Sequence, residues 1–136
     1  MSDNLELVAL ARSFERARAE LDRFFPQGLF GDPGWSLLLD LFIAHHEGRA
    51  VNTSGVCSGA NVPQTTGLRW LDRLEAAGLI RRHRHEQDTR FVMVEMSDMG
   101  LRRMTAFLDD TRERIARGQA NPMAAAASAA ARREPV

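Results

Sequence analysis

A chain of 136 residues suits one domain with tails and is short for a two-lobed enzyme or a large wound sheet. With 44% hydrophobic and 26% charged residues an ordered globular body is expected. No apolar run reaches the roughly 18 residues of a membrane span, and the single cysteine, Cys57, excludes an internal disulfide and a multi-cysteine metal site.

The formal charge is zero, but it is unevenly spread. Residues 1–40 carry four Arg and seven acids, a balance of −3; residues 41–94 carry seven Arg and five acids, a balance of +2, and all four histidines. Five potentially cationic residues stand in a row, Arg81-Arg82-His83-Arg84-His85. A basic face on a neutral protein can still bind phosphates, because the local field outweighs the sum. Met1-Ser2-Asp3-Asn4 has no basic stretch leading into an apolar run, so no signal peptide is expected and a cytoplasmic location is the default.

The first segment is predicted to be a helix capped by Ser2 or Asp3. Leu7, Leu10, Phe14, Ala17, Leu21 and Phe24 follow at spacings of 3, 4, 3, 4 and 3, a heptad seam. Such a seam serves either the helix's own core or a second subunit, and its narrowness and length favour the second. Pro26, Gly28 and Gly31 interrupt the chain. Asp32-Pro33 then starts a second helix, with an N-cap acid and proline at the first helical position. Residues 35–44 are apolar on nearly all sides, which marks a central buried helix ending before Gly48.

Residues 53–60 suit a short third helix capped by Asn52 or Thr53, weakened by Gly55 and Gly59. After the turn Asn61-Val62-Pro63, a fourth helix runs from Gln64 to Ala77 and stops at Gly78. Its inward stripe is Gly67, Trp70, Leu71 and Leu74; Gln64, Thr65, Leu68, Arg69, Asp72 and Arg73 lie outside it. Two strand-like runs follow, Leu79–Arg84 and Phe91–Met96, joined by a polar hairpin tip at residues 86–90. Ser97 caps a last helix, in which Leu101, Met104, Leu108, Thr111 and Ile115 repeat the 3, 4, 3, 4 spacing up to Gly118. The alanine-rich stretch from Gln119 lacks large apolar anchors and reads as a disordered or weakly helical tail.

Short helix, tight turn, longer helix, basic strand, hairpin, strand is an order that a duplex explains. A helix fits the major groove, and a following hairpin can lower a cation into the minor groove. The fold class expected is mainly α with a small β-hairpin wing: a winged helix-turn-helix domain over 32–117, an N-terminal helix and linker over 1–31 for dimerisation, and a tail over 118–136.

Thr66-Gly67-Leu68-Arg69-Trp70-Leu71-Asp72-Arg73-Leu74-Glu75-Ala76-Ala77-Gly78-Leu79-Ile80 resembles the recognition helix of MarR-type transcriptional regulators. Asp88-Thr89-Arg90 matches their Asp-x-Arg wing tip, and Glu95–Gly100 is similar to their strand end and helix start. The resemblance covers roughly residues 33–108. It implies sequence-specific binding of double-stranded DNA, with helix 63–77 in the major groove and wing 80–96 at the minor groove. Arg69 would read the major groove, Arg90 would reach the minor groove, and Asp88 would hold Arg90 through a charge-assisted hydrogen bond. Gln64, Thr65, Thr66, Arg73 and Arg84 complete the expected DNA-contacting set.

The family dimerises through N- and C-terminal helices. That points to Leu7, Leu10, Phe14, Ala17, Leu21, Leu101, Met104 and Leu108 as the homodimer seam. Only one seam follows the wing here, where the family has two long helices. The family's effector pocket lies between the dimer helices and the DNA-binding domain, but nothing in the sequence identifies an effector, and no cofactor is expected.

Other chemistries fit less well. Gly55-Val56-Cys57-Ser58-Gly59 has the form of a nucleophile elbow, but residues 47–52 are too few and too polar for the buried parallel strand that motif needs. His83 and His85 share a strand face and make two metal ligands, with Cys57 or Glu86 as further partners, yet no second pair is fixed. A winged helix used only for protein interaction is the alternative. It would not need Arg69, Arg73, Arg90 and the basic strand together.

Overall fold

The computed structural model describes residues 2–25 and 32–118. The linker glycines and proline, and the alanine-rich stretch, lie outside the described residues, as does the side chain of Leu21. Five helices and three short strands follow in order: α1 (Ser2–Phe24), α2 (Pro33–Glu47), β1 (Val51–Asn52), α3 (Thr53–Gly59), α4 (Gln64–Ala76), β2 (Ile80–Arg84), β3 (Val92–Met96) and α5 (Asp98–Ala116).

α2 forms the centre. Asp32 accepts a hydrogen bond from the backbone N–H of Trp35, Pro33 occupies the first turn, and Gly48 closes the helix at φ +69°. Leu37, Leu39, Leu41, Phe42 and Ile43 are at most 2% exposed, so the helix is buried nearly all round. It touches α1, α3, α4 and β3.

β1 is a strand the sequence did not suggest. Its two residues pair antiparallel with β3, Val51 opposite Val94 and Asn52 opposite Met93. The sheet order is therefore β1-β3-β2, with β3 in the middle. In the β2–β3 hairpin Ile80 faces Met96 and Arg82 faces Val94. Ile80, Val94 and Met96 enter the core. The strands start one residue later than the apolar runs suggest. Leu79 still donates its N–H to Leu74 O at the end of α4, and Phe91 donates to Asp88 O in the hairpin tip.

Ser97 accepts from the Gly100 N–H as the cap of α5, and its own hydroxyl donates to Gly78 O at 2.6 Å. A Cβ at Gly100 would lie 2.1 Å from Leu79 O, so only glycine allows α5 to start this close to the α4–β2 turn.

The two seams lie largely inside one protomer. Leu7, Ala11 and Phe14 of α1 and Met104, Leu108 and Thr111 of α5 are buried, with α1 lying on both α2 and α5. Leu10 and Leu101 are half-buried and Ala17 is exposed. The residues of the expected subunit seam that are buried, Leu7, Phe14, Met104 and Leu108, thus serve the chain's own core, which the heptad spacing alone could not decide. Arg112 of α5 bonds Glu6 of α1 at 2.6 Å and ties the two helices at the surface.

Candidate nucleic-acid interface

α3 and α4 form a helix-turn-helix. Asn52 accepts from the Gly55 N–H at 2.7 Å and starts α3. Cys57 O accepts from Val62 N at 2.8 Å, and Asn61 takes a left-handed turn at φ +58° before Pro63. The helices cross at Gly67, where an added Cβ would lie 2.2 Å from Cys57 Sγ. Cys57 is fully buried on α3, and burial raises its thiol pKa. A helical, enclosed thiol is not the exposed nucleophile of an elbow. Among the described residues no three His, Cys, Asp or Glu side chains are grouped to hold a metal ion.

On the outer side of α4, Thr65, Leu68 and Arg69 are exposed and Thr66 is half-buried. Gln64 is exposed, but its amide donates to Ser54 O on α3 at 3.2 Å, bracing the turn. Arg73 lies over the Trp70 ring at 4.8 Å, a cation–π contact, and Trp70 in turn lies against Gly34 of α2. Arg69 makes no hydrogen bond or ion pair among the described residues.

The basic run on β2 is less free than its sequence suggests. Arg81 pairs with Glu95 across the hairpin at 3.3 Å. Arg82, with a side chain only 20% exposed, reaches back to α4 and donates to Asp72 Oδ1 at 2.6 Å and Glu75 Oε1 at 2.7 Å. Burial would lower the Arg82 pKa, but the hydrogen bonds to Glu75 and Asp72 more than offset it and raise it. Arg84 is exposed and donates to Thr89 O at 2.8 Å. His85 Nδ1 accepts from the backbone N–H groups of Gln87 and Asp88 and so shapes the tip. His83 alone of the five lacks such a bond among the described residues. The sequence offers this run to phosphates; in the fold Arg81, Arg82, Arg84 and His85 also bond neighbours in the hairpin or on α4.

At the tip, Arg90 donates to both carboxylate oxygens of Asp88, and its side chain remains 82% exposed. The hydrogen bonds from Arg90 hold the Asp88 carboxyl below the usual carboxylate range. Phe91 is exposed beside it, its ring 5.8 Å from the Arg90 guanidinium.

No helix among the described residues is long and apolar enough to cross a membrane. No curated protein sequence matches the chain. Among solved structures, a point mutant of Staphylococcus aureus MepR superposes with a TM-score of 0.53 at 18% identity, covering 87% of this chain and 84% of its own. MepR bound to ethidium bromide gives 0.50 at 17% identity, over 88% and 86%. The transcriptional repressor CouR, solved on a 23-mer DNA duplex, is 25% identical over 55% of this chain, with a TM-score of 0.46, and the chain spans about half (49%) of CouR's length. The resemblance to MarR-type regulators therefore holds at the level of the fold. A family model described as a winged helix DNA-binding domain matches residues 31–100. That is more than half of the sequence, and it takes in the helix-turn-helix and the wing just described: the chain belongs to the winged helix DNA-binding domain family.

Proposed function

We propose that the protein binds double-stranded DNA sequence-specifically and regulates transcription, with α4 in the major groove and the β2–β3 wing at the minor groove. One observation carries the reading. Arg69 stands unpartnered on the exposed side of α4, while Arg73, Arg81, Arg82, Arg84 and Arg90 are each held by a neighbour. An exposed arginine at this place suits bidentate recognition of a guanine edge. Thr65 and Thr66 add adjacent polar groups, and Arg90 supplies the minor-groove cation. In this reading residues 32–117 are the DNA-binding unit, the protein acts in the cytoplasm, and no residue is assigned a catalytic role.

We also propose a homodimer, which would present two recognition helices to a pseudo-palindrome. Because much of the expected seam is internal, the interface is placed on what α1 and α5 leave uncovered: Leu5 at 75%, Phe107 at 44% and Ile115 at 41% exposure.

Selection of duplexes from a random pool, followed by fluorescence anisotropy, tests the reading. Arg69→Ala should cost about 1–3 kcal/mol on the selected site and much less on random DNA. Equal losses on both would make Arg69 a phosphate contact. Absence of any duplex binding at low salt would favour the interaction-module alternative.

A further inference from the structure

We propose that Arg82 is a positioning residue for DNA reading: by holding Asp72 and Glu75 it keeps the Asp72 carboxylate off Arg69. The inference rests on the DNA-binding reading above.

Asp72 follows Arg69 by three positions, and residues so spaced are neighbours on a helix surface. Left to itself, an Arg–Asp pair at this spacing would close on itself. The carboxylate instead turns to Arg82 on β2, at 2.6 Å. Glu75 is three residues further on, so two like charges share one edge of α4, where they repel each other and any approaching phosphate. Arg82 neutralises both: Nε donates to Glu75 Oε1 at 3.1 Å, and Nη2 donates to Glu75 at 2.7 Å and to Asp72. The main chain joins in, since the Arg82 N–H donates to Glu75 Oε2 at 3.2 Å.

These bonds join the strand that leads into the wing to the last two turns of the recognition helix. A planar fork of donors engages the two carboxylates in fixed directions, whereas the three donors of a lysine ammonium rotate at the end of a flexible stem. The half-buried guanidinium is committed to the acids, so it aims other groups at DNA and does not reach DNA itself.

The test is anisotropy at one salt concentration on a selected site and on random duplex, using full-length wild type, Asp72→Asn, Arg82→Gln, Asp72→Asn/Arg82→Gln and Arg69→Ala in both backgrounds. Circular dichroism melting accompanies each variant. Wild type must first bind duplex; if it does not, the DNA-binding reading has failed, and this proposal with it.

Given binding, Asp72→Asn alone should change affinity by no more than about twofold, because its charge is already taken up. Arg82→Gln should weaken the selected site by about tenfold and random DNA much less, since a lost base contact acts on the preferred sequence. Adding Asp72→Asn should recover most of that loss, and Arg69→Ala should cost less in the Arg82→Gln background than in wild type. If Asp72→Asn tightens binding to all DNA alike, Asp72 is a free acid and the proposal is wrong. It is equally overturned if the loss in Arg82→Gln persists when Asp72 is neutralised. Should Arg82→Gln not fold, Arg82→Lys replaces it, with a smaller loss that Asp72→Asn must again relieve.

Discussion

Asp88 grips Arg90 along one edge of the guanidinium, with Nε 2.9 Å from one carboxylate oxygen and Nη2 2.7 Å from the other. The Arg90 backbone N–H donates to the same carboxylate at 3.2 Å, so the acid fixes both the turn and the side chain. Solvent screens an exposed pair of this kind, so it adds little to stability. In the proposed function the pair holds a long cation in one direction before binding, which reduces the ordering entropy lost on association.

Arg90→Ala should therefore weaken DNA binding while leaving the melting temperature almost unchanged. Asp88→Ala should also weaken binding, though less, even though it removes a negative charge near phosphates. Anisotropy at matched salt decides the sign: tighter binding by Asp88→Ala would make Asp88 an ordinary turn acid.

The crossing of α3 and α4 depends on the absence of a side chain at Gly67. Gly67→Ala would place a methyl 2.2 Å from the Cys57 sulfur, well inside contact distance. Overpacking of this kind costs about 1–3 kcal/mol. The melting temperature should drop, and Cys57→Ala in the same chain should restore part of the loss by vacating the space. An unchanged melting temperature for Gly67→Ala would mean that the helices can move apart freely.

His46 gives stability a pH dependence. It is half-buried at the end of α2, its ring 4.6 Å from Phe42 and 5.0 Å from His45, and its Nε2 is buried without a hydrogen-bond partner. Burial first, and the neighbouring His45 second, push its pKa below the ordinary imidazole value. The folded state then binds this proton less readily than the unfolded chain. Its stabilising effect is complete above about pH 6.5, the unfolded value, and is lost as pH falls through the lower folded value. Melting temperatures of His46→Phe should accordingly fall less than those of wild type between about pH 8 and 5. Asp40 and Glu15 act in the opposite sense, because burial raises their carboxyl pKa values, and comparison of the two proteins at each pH removes their contribution.

The proposed dimer is tested at Phe107, not at Phe14. Phe14 is buried against Trp35 with ring centres 5.7 Å apart, so a charge there would unfold the protomer. Phe107 packs on the same Trp35 at 5.4 Å yet keeps an outer face in solvent. Phe107→Glu should retain the helical circular dichroism and sediment as a monomer at concentrations where wild type is a dimer. A wild-type monomer at tens of micromolar would remove the interface altogether.

Helix ends were the most legible part of the sequence, because they rest on local chemistry. Asp32, Asn52 and Ser97 each cap the helix expected of them, and Gly48 and Gly78 adopt the left-handed turns their positions imply. β1 was not legible, since two residues carry no period and exist as a strand only through Val94 and Met93. The outward positions of Thr65, Leu68 and Arg69 followed from helical spacing. The fate of the basic run did not. Whether Arg82 faces phosphate or acid depends on Asp72 and Glu75, which helical spacing places on α4 but which only the folded β2 brings within reach.

Asn52 holds two offices at once: it is the last residue of β1, opposite Met93, and its side chain starts α3. The pitch of the helix-turn-helix is thereby indexed to the sheet, as a gear is keyed to its shaft. Gly67 sets the second helix against the first, Arg82 returns it to β2, and Ser97 fastens the end of β3 to Gly78. Anyone wishing to transplant the helix-turn-helix of this protein into another winged helix domain has to move residues 51–97 as one cassette; α4 alone would arrive without the parts that set its angle.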